Sequence, residues 1–479
     1  MNPYAAGSEH GGGWPSAGPV GQHPVPAYHP EPRFSLPPAE QWRYRPRRAF
    51  LENKALRAGA VTTTLALCGL GILALVQQSV GTEGFFVGLG LSLLPVPLLV
   101  GAFMWIDRVE PEPWRNLLFA FAWGACAATL IAIFANEWAT HWLGSINPDD
   151  SETLSLTVAA PMVEETTKGA AILLLFLFRR KDFDGIVDGV VIAGLTATGF
   201  AFTENILYLG DAFGEDLAFG NETLGGITIM TFFMRVIISP FAHPLFTCMT
   251  GVGFGLAAVT RNRALRVLAP IGGLLVAMVL HGVWNGSSVM GLLGFVLIYG
   301  VFMVPVFGLM VWLAVWSRNN ELKTVGRQLP VYAAAGWISH PEPLALSSMK
   351  ARKLARDLAR FTQGEAGVRL MREYQGFATA LAFLRAKAAR GGTPADFTSR
   401  EQELLHHLWQ RKAAVQPALA QAAFSVCRPP APPPPPPGWG PPGWAPGPGP
   451  GWGPPAWNPG PGPLPGSPHF PRQDPGRHR

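Results

Sequence analysis

Long apolar runs in the middle of this chain limit what it can fold into. A bilayer core about 30 Å thick is crossed by roughly 20 apolar residues, because an α-helix rises about 1.5 Å per residue. Within a bilayer, only helices and closed barrels satisfy their own backbone hydrogen bonds. The sequence contains eight such runs, at 58–80, 84–106, 117–143, 154–178, 186–209, 227–259, 267–289 and 292–316. It therefore predicts an all-α, polytopic membrane helix bundle with about eight transmembrane helices.

The two ends of the chain differ in composition from the middle. Both are rich in Pro and Gly, and the C-terminal one contains the run PPAPPPPPPGWGPPGW. Such segments bury too little apolar surface to fold. After the last span, helical periodicity and a capping box at Thr398 and Glu401 indicate a small helical domain. We predict four parts: a disordered arm over 1–45, a membrane domain over 46–318, a cytoplasmic helical domain over 319–427 and a disordered tail over 428–479.

The basic residues predict the orientation of the spans. The net charge of +6 is compatible with a nucleic-acid partner. However, the Lys and Arg residues are clustered on alternate connections between the spans, as in membrane proteins whose basic connections lie in the cytoplasm. Lys and Arg lie before 58 and within 107–115, 179–181, 261–266 and 318–323, whereas 144–152 and 210–225 contain neither. We therefore expect a multi-pass protein of the cell membrane with both termini in the cytoplasm, and no nucleic-acid partner. No apolar signal-peptide core precedes the first span, which we expect to be an uncleaved anchor.

The proline-rich tail is a candidate ligand for a cytoplasmic partner. Proline favours the polyproline conformation that aromatic-lined grooves recognise. A tether without specific partners is the alternative interpretation.

Charged side chains inside the apolar spans are a second constraint. The fourth span contains APMVEETTK, the fifth GFAFTEN and the sixth RVIISPFAHPLFT. A charge at a helix centre costs on the order of 2.5–3.5 kcal/mol, so such groups pair, face a cavity or carry function. Glu164 and Glu165 precede Lys168 by four and three residues, so both carboxylates can approach one ammonium. The charged set is Glu164, Glu165, Lys168, Glu204 and Arg235.

Two histidines and an asparagine add groups that metal binding or hydrolysis requires. His243 follows Pro240 in the sixth span, and His281 and Asn285 share one helix face in HGVWN of the seventh. Carboxylate and imidazole are zinc ligands, and such a set can also activate water and stabilise an oxyanion. Interhelical hydrogen bonding is the alternative explanation for each residue taken alone.

The order of these motifs resembles the PrsW family of intramembrane proteases, which is distantly similar to the CAAX-prenyl protease and Abi group. The motifs are APMVEETTK, DGVVIAGLTATGFAFTENILYL, RVIISPFAHPLFT and HGVWN, within 154–290. The resemblance implies a multi-span bundle that cleaves a membrane-anchored protein, such as an anti-sigma factor in regulated proteolysis. Carried over motif by motif, it assigns functional positions to Glu164, Glu165, Glu204, His243 and His281.

The residue types then predict a mechanism. A glutamate takes a proton from water, and the water attacks the scissile amide directly. The histidines and the asparagine stabilise the oxyanion or hold a metal that does so. A metal-free glutamate mechanism stays open, because HExxH is absent. The predicted catalytic residues are Glu164, Glu165, His243, His281 and Asn285, and the predicted Zn²⁺ ligands are Glu204, His243 and His281.

Two other classes of protein remain compatible with the sequence. A transporter or an ion or proton channel would use the buried Glu, Lys, Arg and His residues as a relay, although inverted repeats are not evident. A non-catalytic scaffold would recruit partners through the helical domain and the tail. The ordered motifs favour an intramembrane endopeptidase that acts on a membrane-anchored protein within the lipid bilayer.

Overall fold

A computed structural model describes residues 54–180, 183, 185–221, 223–389 and 396–426, with side chains from residue 58 onwards. The predicted arm over 1–45, the tail over 428–479 and most of the first basic cluster lie outside these residues. Over the described ranges the chain is helical and contains no strand. The predicted all-α class is confirmed.

The described part of the chain contains sixteen α-helical elements, two of which are interrupted by a non-helical glycine, at Gly81 and at Gly364. The first eight are α1 (Lys54–Ser92), α2 (Val96–Ile106), α3 (Trp114–Ala122), α4 (Thr129–Ile146), α5 (Ser151–Leu154), α6 (Ala160–Phe178), α7 (Ile186–Ala218) and α8 (Gly226–Phe232). The others are α9 (Ala242–Val259), α10 (Arg263–Val289), α11 (Gly291–Leu297), α12 (Val304–Gln328), α13 (Pro330–Ala334), α14 (Glu342–Leu346), α15 (Met349–Ala389) and α16 (Phe397–Val426). Four π-helical stretches follow α3, α5, α8 and α11, at Trp123–Ala128, Ser155–Ala159, Phe233–Ile238 and Ile298–Met303.

Six helical stretches in the described residues are long and apolar enough to cross a membrane. They are Ala58–Ile106, Trp114–Ile146, Ile186–Ala218, Gly226–Val259, Arg263–Val289 and Gly291–Ala334. A multi-pass helical membrane protein is thus confirmed, but the predicted count of eight is not. The difference has two sources: the first stretch contains two of the predicted spans, and α6 contains three charged residues.

The first stretch, Ala58–Ile106, reverses direction at Gly81. Gly81 has a φ of +73°, a left-handed conformation that favours glycine. Val76 before the bend packs with Ile206 of α7, and Gly88 after the bend lies against the carbonyl of the same Ile206. A straight helix would separate those two residues by about 18 Å. Two antiparallel helices therefore lie side by side on α7, as two spans would.

Helix α7 is the central helix of the bundle, and most of its residues are buried. Its glycines bring neighbouring helices into backbone contact. A Cβ added to Gly189 would lie 2.0 Å from the carbonyl oxygen of Gly251 in α9. A Cβ added to Gly199 would lie 2.1 Å from that of Phe121 in α3. Small residues at helix interfaces permit this close packing in bilayers, so α7 is held firmly where it carries site residues.

The C-terminal helices, from the end of α12 to α16, have a hydrophobic core of their own. Val325, Tyr374, Leu381 and Leu419 are among its fully buried members. We call this part the C-terminal helical domain. Helix α12 runs unbroken through the predicted domain boundary after residue 318. The predicted boundaries and the cytoplasmic location stay predictions.

Arg352 of α15 joins the C-terminal helical domain to the membrane bundle. Its guanidinium is buried and donates hydrogen bonds to the carbonyls of Leu346 (2.6 Å) and Val109 (2.9 Å) and to Thr379 Oγ1 (2.7 Å). Burial lowers the pKa of Arg352 to about 10, so the group remains charged at neutral pH. Because Val109 lies between α2 and α3, this residue fixes the domain to a connection of the bundle.

Candidate active site

Two glutamates and a lysine of α6 lie in the interior of the bundle. Glu165 and Lys168 are fully buried, and Glu164 is 6% exposed. Lys168 Nζ donates to Glu164 Oε2 at 3.2 Å and to Glu165 Oε1 at 3.0 Å. The ammonium also lies 3.8 Å from the ring centroid of Phe200. The predicted pairing of both carboxylates with one ammonium is confirmed.

His281 of α10 is oriented by Glu165. Its Nδ1 lies 3.0 Å from Glu165 Oε1, while Thr247 of α9 donates to the other carboxylate oxygen at 2.8 Å. The imidazole stacks on Phe246 with ring centroids 4.9 Å apart. In the neutral tautomer that donates its Nδ1 hydrogen to the carboxylate, the lone pair is on Nε2. That nitrogen lies 3.8 Å from Glu164 Oε2.

His243 at the start of α9 is oriented by a different carboxylate. Its Nε2 lies 2.7 Å from Glu204 Oε2 of α7, which also accepts a hydrogen bond from Arg235 at 2.6 Å. Arg235 in turn donates to Asn205 Oδ1 at 2.8 Å. The other imidazole nitrogen, Nδ1, lies 3.2 Å from Lys168 Nζ. Both histidines therefore have one nitrogen on a carboxylate and the other towards α6. We call Glu164, Glu165, Lys168, His243 and His281 the central cluster.

Three residues of the central cluster fit a metal site. In the described residues, Glu164, His243 and His281 each offer a ligand atom within 4.8 Å of the others. Two imidazoles and a carboxylate suit zinc. A metal-binding histidine usually donates the N–H of its second nitrogen to a carboxylate, a backbone carbonyl or water. Glu165 and Glu204 supply those carboxylates. Glu164 is thus the carboxylate that lies close to both histidines, and the predicted ligand set with Glu204 stays a prediction.

Asn285 is placed differently from the rest of the predicted site. It shares a face of α10 with His281, but its amide donates to the carbonyl oxygen of Leu156 at 3.0 Å. Leu156 lies in the π-helical stretch that leads into α6. Asn285 therefore ties α10 to the segment that carries the glutamates. A direct catalytic role for Asn285 stays a prediction.

Asn136 of α4 is a site residue that sequence reasoning missed. Its Nδ2 donates to Glu164 Oε1 at 3.4 Å. Its span contains none of the motifs described above, and 28 residues separate it from its partner. Spacing along the chain therefore carried no signal for it.

The solvent exposure of the site's side chains increases from Glu165 to Arg235. The side chain of Glu165 is fully buried, and those of Glu164, His243, Glu204 and Arg235 are 8, 12, 16 and 24% exposed. The site is thus closed at Glu165 and accessible from the side of Glu204 and Arg235.

Comparison with known proteins gives one consistent family. Residues 112–334 match the PrsW-protease family, described as PrsW family intramembrane metalloproteases. A protein named Protease PrsW from Clostridioides difficile (strain 630) is 28% identical over 194 residues, 40% of this chain and 75% of that protein. The Protease PrsW of Geobacillus kaustophilus (strain HTA426) is 27% identical over 195 residues, 40% of this chain and 76% of that protein. No solved structure matches this chain. The matched residues run from α3 to α13 and include the whole central cluster.

Proposed function

We propose that this chain, whose residues 112–334 match the PrsW family of intramembrane metalloproteases, is an intramembrane endopeptidase for a membrane-anchored protein. The central cluster is the observation that carries the proposal. It joins α6, α9 and α10 through two buried carboxylates, one ammonium and two imidazoles. Hydrolysis of an amide needs a proton acceptor, a proton donor and stabilisation of an oxyanion, and these residue types supply all three.

Glu164 is the proton acceptor in this proposal. Its two oxygens have different surroundings: Oε2 faces Lys168 and His281, whereas Oε1 faces Asn136. It is also less buried than its neighbour Glu165. Glu164 takes a proton from the attacking water and returns it to the amine that leaves.

The other residues of the central cluster hold this arrangement in place. The single ammonium of Lys168 contacts both glutamates, which offsets part of the cost of placing two carboxylates in an apolar bundle. Glu165 fixes the ring of His281, and Glu204 fixes that of His243. The fixed imidazoles then present one nitrogen each towards the reacting groups, without rearrangement during the reaction.

In a metal-bound form, Glu164, His243 and His281 would hold an ion such as Zn²⁺. Glu164 would then act as a ligand, and its role as proton acceptor belongs to the metal-free mechanism. When bound there, the metal supplies Lewis-acid polarisation of water and of the scissile carbonyl. The ammonium of Lys168 contacts Glu164 and His243 at 3.2 Å, so metal binding and the lysine contacts compete for the same atoms. A metal-free glutamate mechanism remains the alternative, and removal of metal separates the two.

A location in the cell membrane with cytoplasmic termini is also part of this proposal. Two basic connections contact the C-terminal helical domain: Arg261 donates to the carbonyl of Ala389, and Val109 accepts from Arg352. This supports placing the domain on the basic side of the membrane. Reporter fusions at residues 148, 216 and 420 test it, and a cytoplasmic signal at 148 or 216 would overturn the orientation.

The substrate class proposed is a single-span protein, with an anti-sigma factor as the example that the family resemblance suggests. The test compares wild type with Glu164→Gln, with cleavage of a co-expressed single-span reporter and protein level measured in the same membranes. Glutamine keeps the size of glutamate but cannot accept the proton. We expect normal accumulation with cleavage reduced at least a hundredfold, and no change for Glu152→Gln in exposed α5. Full activity of Glu164→Gln would refute the assignment, and ion flux in vesicles would indicate a transporter instead.

A further inference from the structure

The amide of Asn136 has one end engaged and one end unpaired. Nδ2 donates to Glu164 Oε1 at 3.4 Å, so the side chain points at the carboxylate. Oδ1 is buried and has no hydrogen-bond partner in the described part of the chain. Buried polar atoms of native proteins almost always have a partner. An unpaired acceptor next to the proposed proton acceptor can be satisfied by water or by a donor of a bound substrate.

An unwound substrate supplies such donors. In an α-helix each N–H is bonded to a carbonyl four residues earlier, which leaves the peptide bond sterically protected. A transmembrane substrate must unwind around the bond to be cleaved, and its freed N–H groups then need acceptors. The bilayer interior provides none. An acceptor at the site itself lowers the cost of unwinding at the point where cleavage occurs.

We propose that Asn136 is a substrate-binding residue whose Oδ1 accepts a backbone N–H beside the scissile bond. This inference rests on the proposed protease function and adds a contact to it. The same side chain orients Glu164 through Nδ2, so one amide sets the distance between the peptide and the proton acceptor. Asn136 is half-buried as a residue, whereas Glu165 is enclosed, but its Oδ1 is buried, so the substrate has to displace neighbouring atoms to reach that oxygen of Asn136.

The two ends of the amide can be separated by substitution. Asn136→Ala removes both the donor and the acceptor, whereas Asn136→Asp keeps an acceptor oxygen and loses the N–H that faces Glu164. The full-length protein is assayed in detergent with a single-span reporter that the wild type cleaves. We expect KM to rise about tenfold in Asn136→Ala, as for the loss of one hydrogen bond. In Asn136→Asp, KM should stay within about threefold of wild type while kcat falls.

Glu137→Gln provides the matched control. Glu137 is the next residue of α4 and its side chain is exposed. We expect its KM and kcat to equal those of the wild type. Parallel losses in this control and in Asn136→Ala would assign the effect to α4 packing and overturn the inference.

A proline scan of the reporter identifies the N–H that is bound. Proline lacks the backbone N–H, so at one position near the cleavage site it should raise the wild-type KM about tenfold. In Asn136→Ala the same proline should cause no further rise, because the interaction is already lost. Equal proline effects in the wild type and in Asn136→Ala at every position would overturn the inference about Asn136 but not the proposed function. An unchanged KM in Asn136→Ala would do the same. A wild type that leaves every reporter intact would overturn the proposed function as well.

Discussion

Asp107, at the end of α2, gives a prediction with a defined size and sign. The side chain is 5% exposed; Oδ2 accepts the backbone N–H of Glu112 at 2.9 Å, and Oδ1 is buried without a partner in the described residues. Burial raises the pKa of Asp107 from 3.8 to about 7, against the smaller, opposite effect of the hydrogen bond from Glu112. A protonated carboxyl is uncharged, so burying it costs less than burying an ionised one.

The sign follows from the raised pKa. The folded state binds this proton more tightly than the unfolded chain does, so the stabilisation is fully present below about pH 4. It is lost as the pH rises towards 7. The difference between the two pKa values corresponds to about 4 kcal/mol at most. Asp107→Asn keeps the neutral shape, so we expect it to be more stable than wild type at pH 8 by up to that amount, and about equal at pH 4.

The assay is thermal unfolding of the full-length protein in detergent, followed by intrinsic fluorescence at a series of pH values. Asp149→Asn in an exposed connection is the control and should leave the pH dependence of Tm unchanged. A Tm difference between wild type and Asp107→Asn that is the same at pH 4 and pH 8 would refute the reasoning. So would a variant that is less stable than wild type at pH 8.

Three further predictions follow from contacts described above. His243→Ala and His281→Ala should each abolish cleavage and reduce the amount of bound metal, measured by elemental analysis. Near-normal turnover in both variants would exclude a role for the two histidines as a pair. Activity of the wild type after exhaustive chelation would exclude only the metal. Gly199→Val should destabilise the bundle by about 3 kcal/mol or more, because its Cβ would lie 2.1 Å from a carbonyl oxygen of α3; an unchanged Tm would contradict the close approach. Arg352→Leu should cost on the order of 3 kcal/mol through lost hydrogen bonds and speed proteolytic release of the C-terminal helical domain; an unchanged proteolysis rate would show that Val109 is not an anchor.

Local geometry decided which parts of the site could be read from the sequence. Glu164, Glu165 and Lys168 lie within one helical turn, so their spacing determines their contact, and the prediction was confirmed. The contact between His281 and Glu165 joins residues 116 apart, and it depends on how α10 packs on α6. The residue types identified the histidines and the carboxylates as candidate site residues. They did not show which carboxylate contacts which histidine.

The partner of each carboxylate was therefore the part that sequence reasoning could not determine. Glu204 was predicted as a metal ligand, which stays a prediction; in the structure its carboxylate contacts His243 and Arg235. Asn285 was predicted on the same helix face as His281, which is correct. However, it lies one turn further along α10, where its amide donates to the carbonyl of Leu156. Asn136 lacked any motif. In each case the contact depends on the register between two packed helices. The periodicity of the sequence does not determine that register.

The unbroken course of α12 limits how this architecture can be recombined. Met310 packs in the bundle core and Val325 in the core of the C-terminal helical domain, on one continuous helix. An insertion of one residue between them would rotate one core relative to the other by about 100° and shift it by about 1.5 Å. The domain is therefore not an interchangeable module: a homologous domain can replace it only with the helical phase preserved. A change of a whole turn would preserve the helical phase but would still shift the domain by about 5.4 Å relative to Val109, which Arg352 contacts.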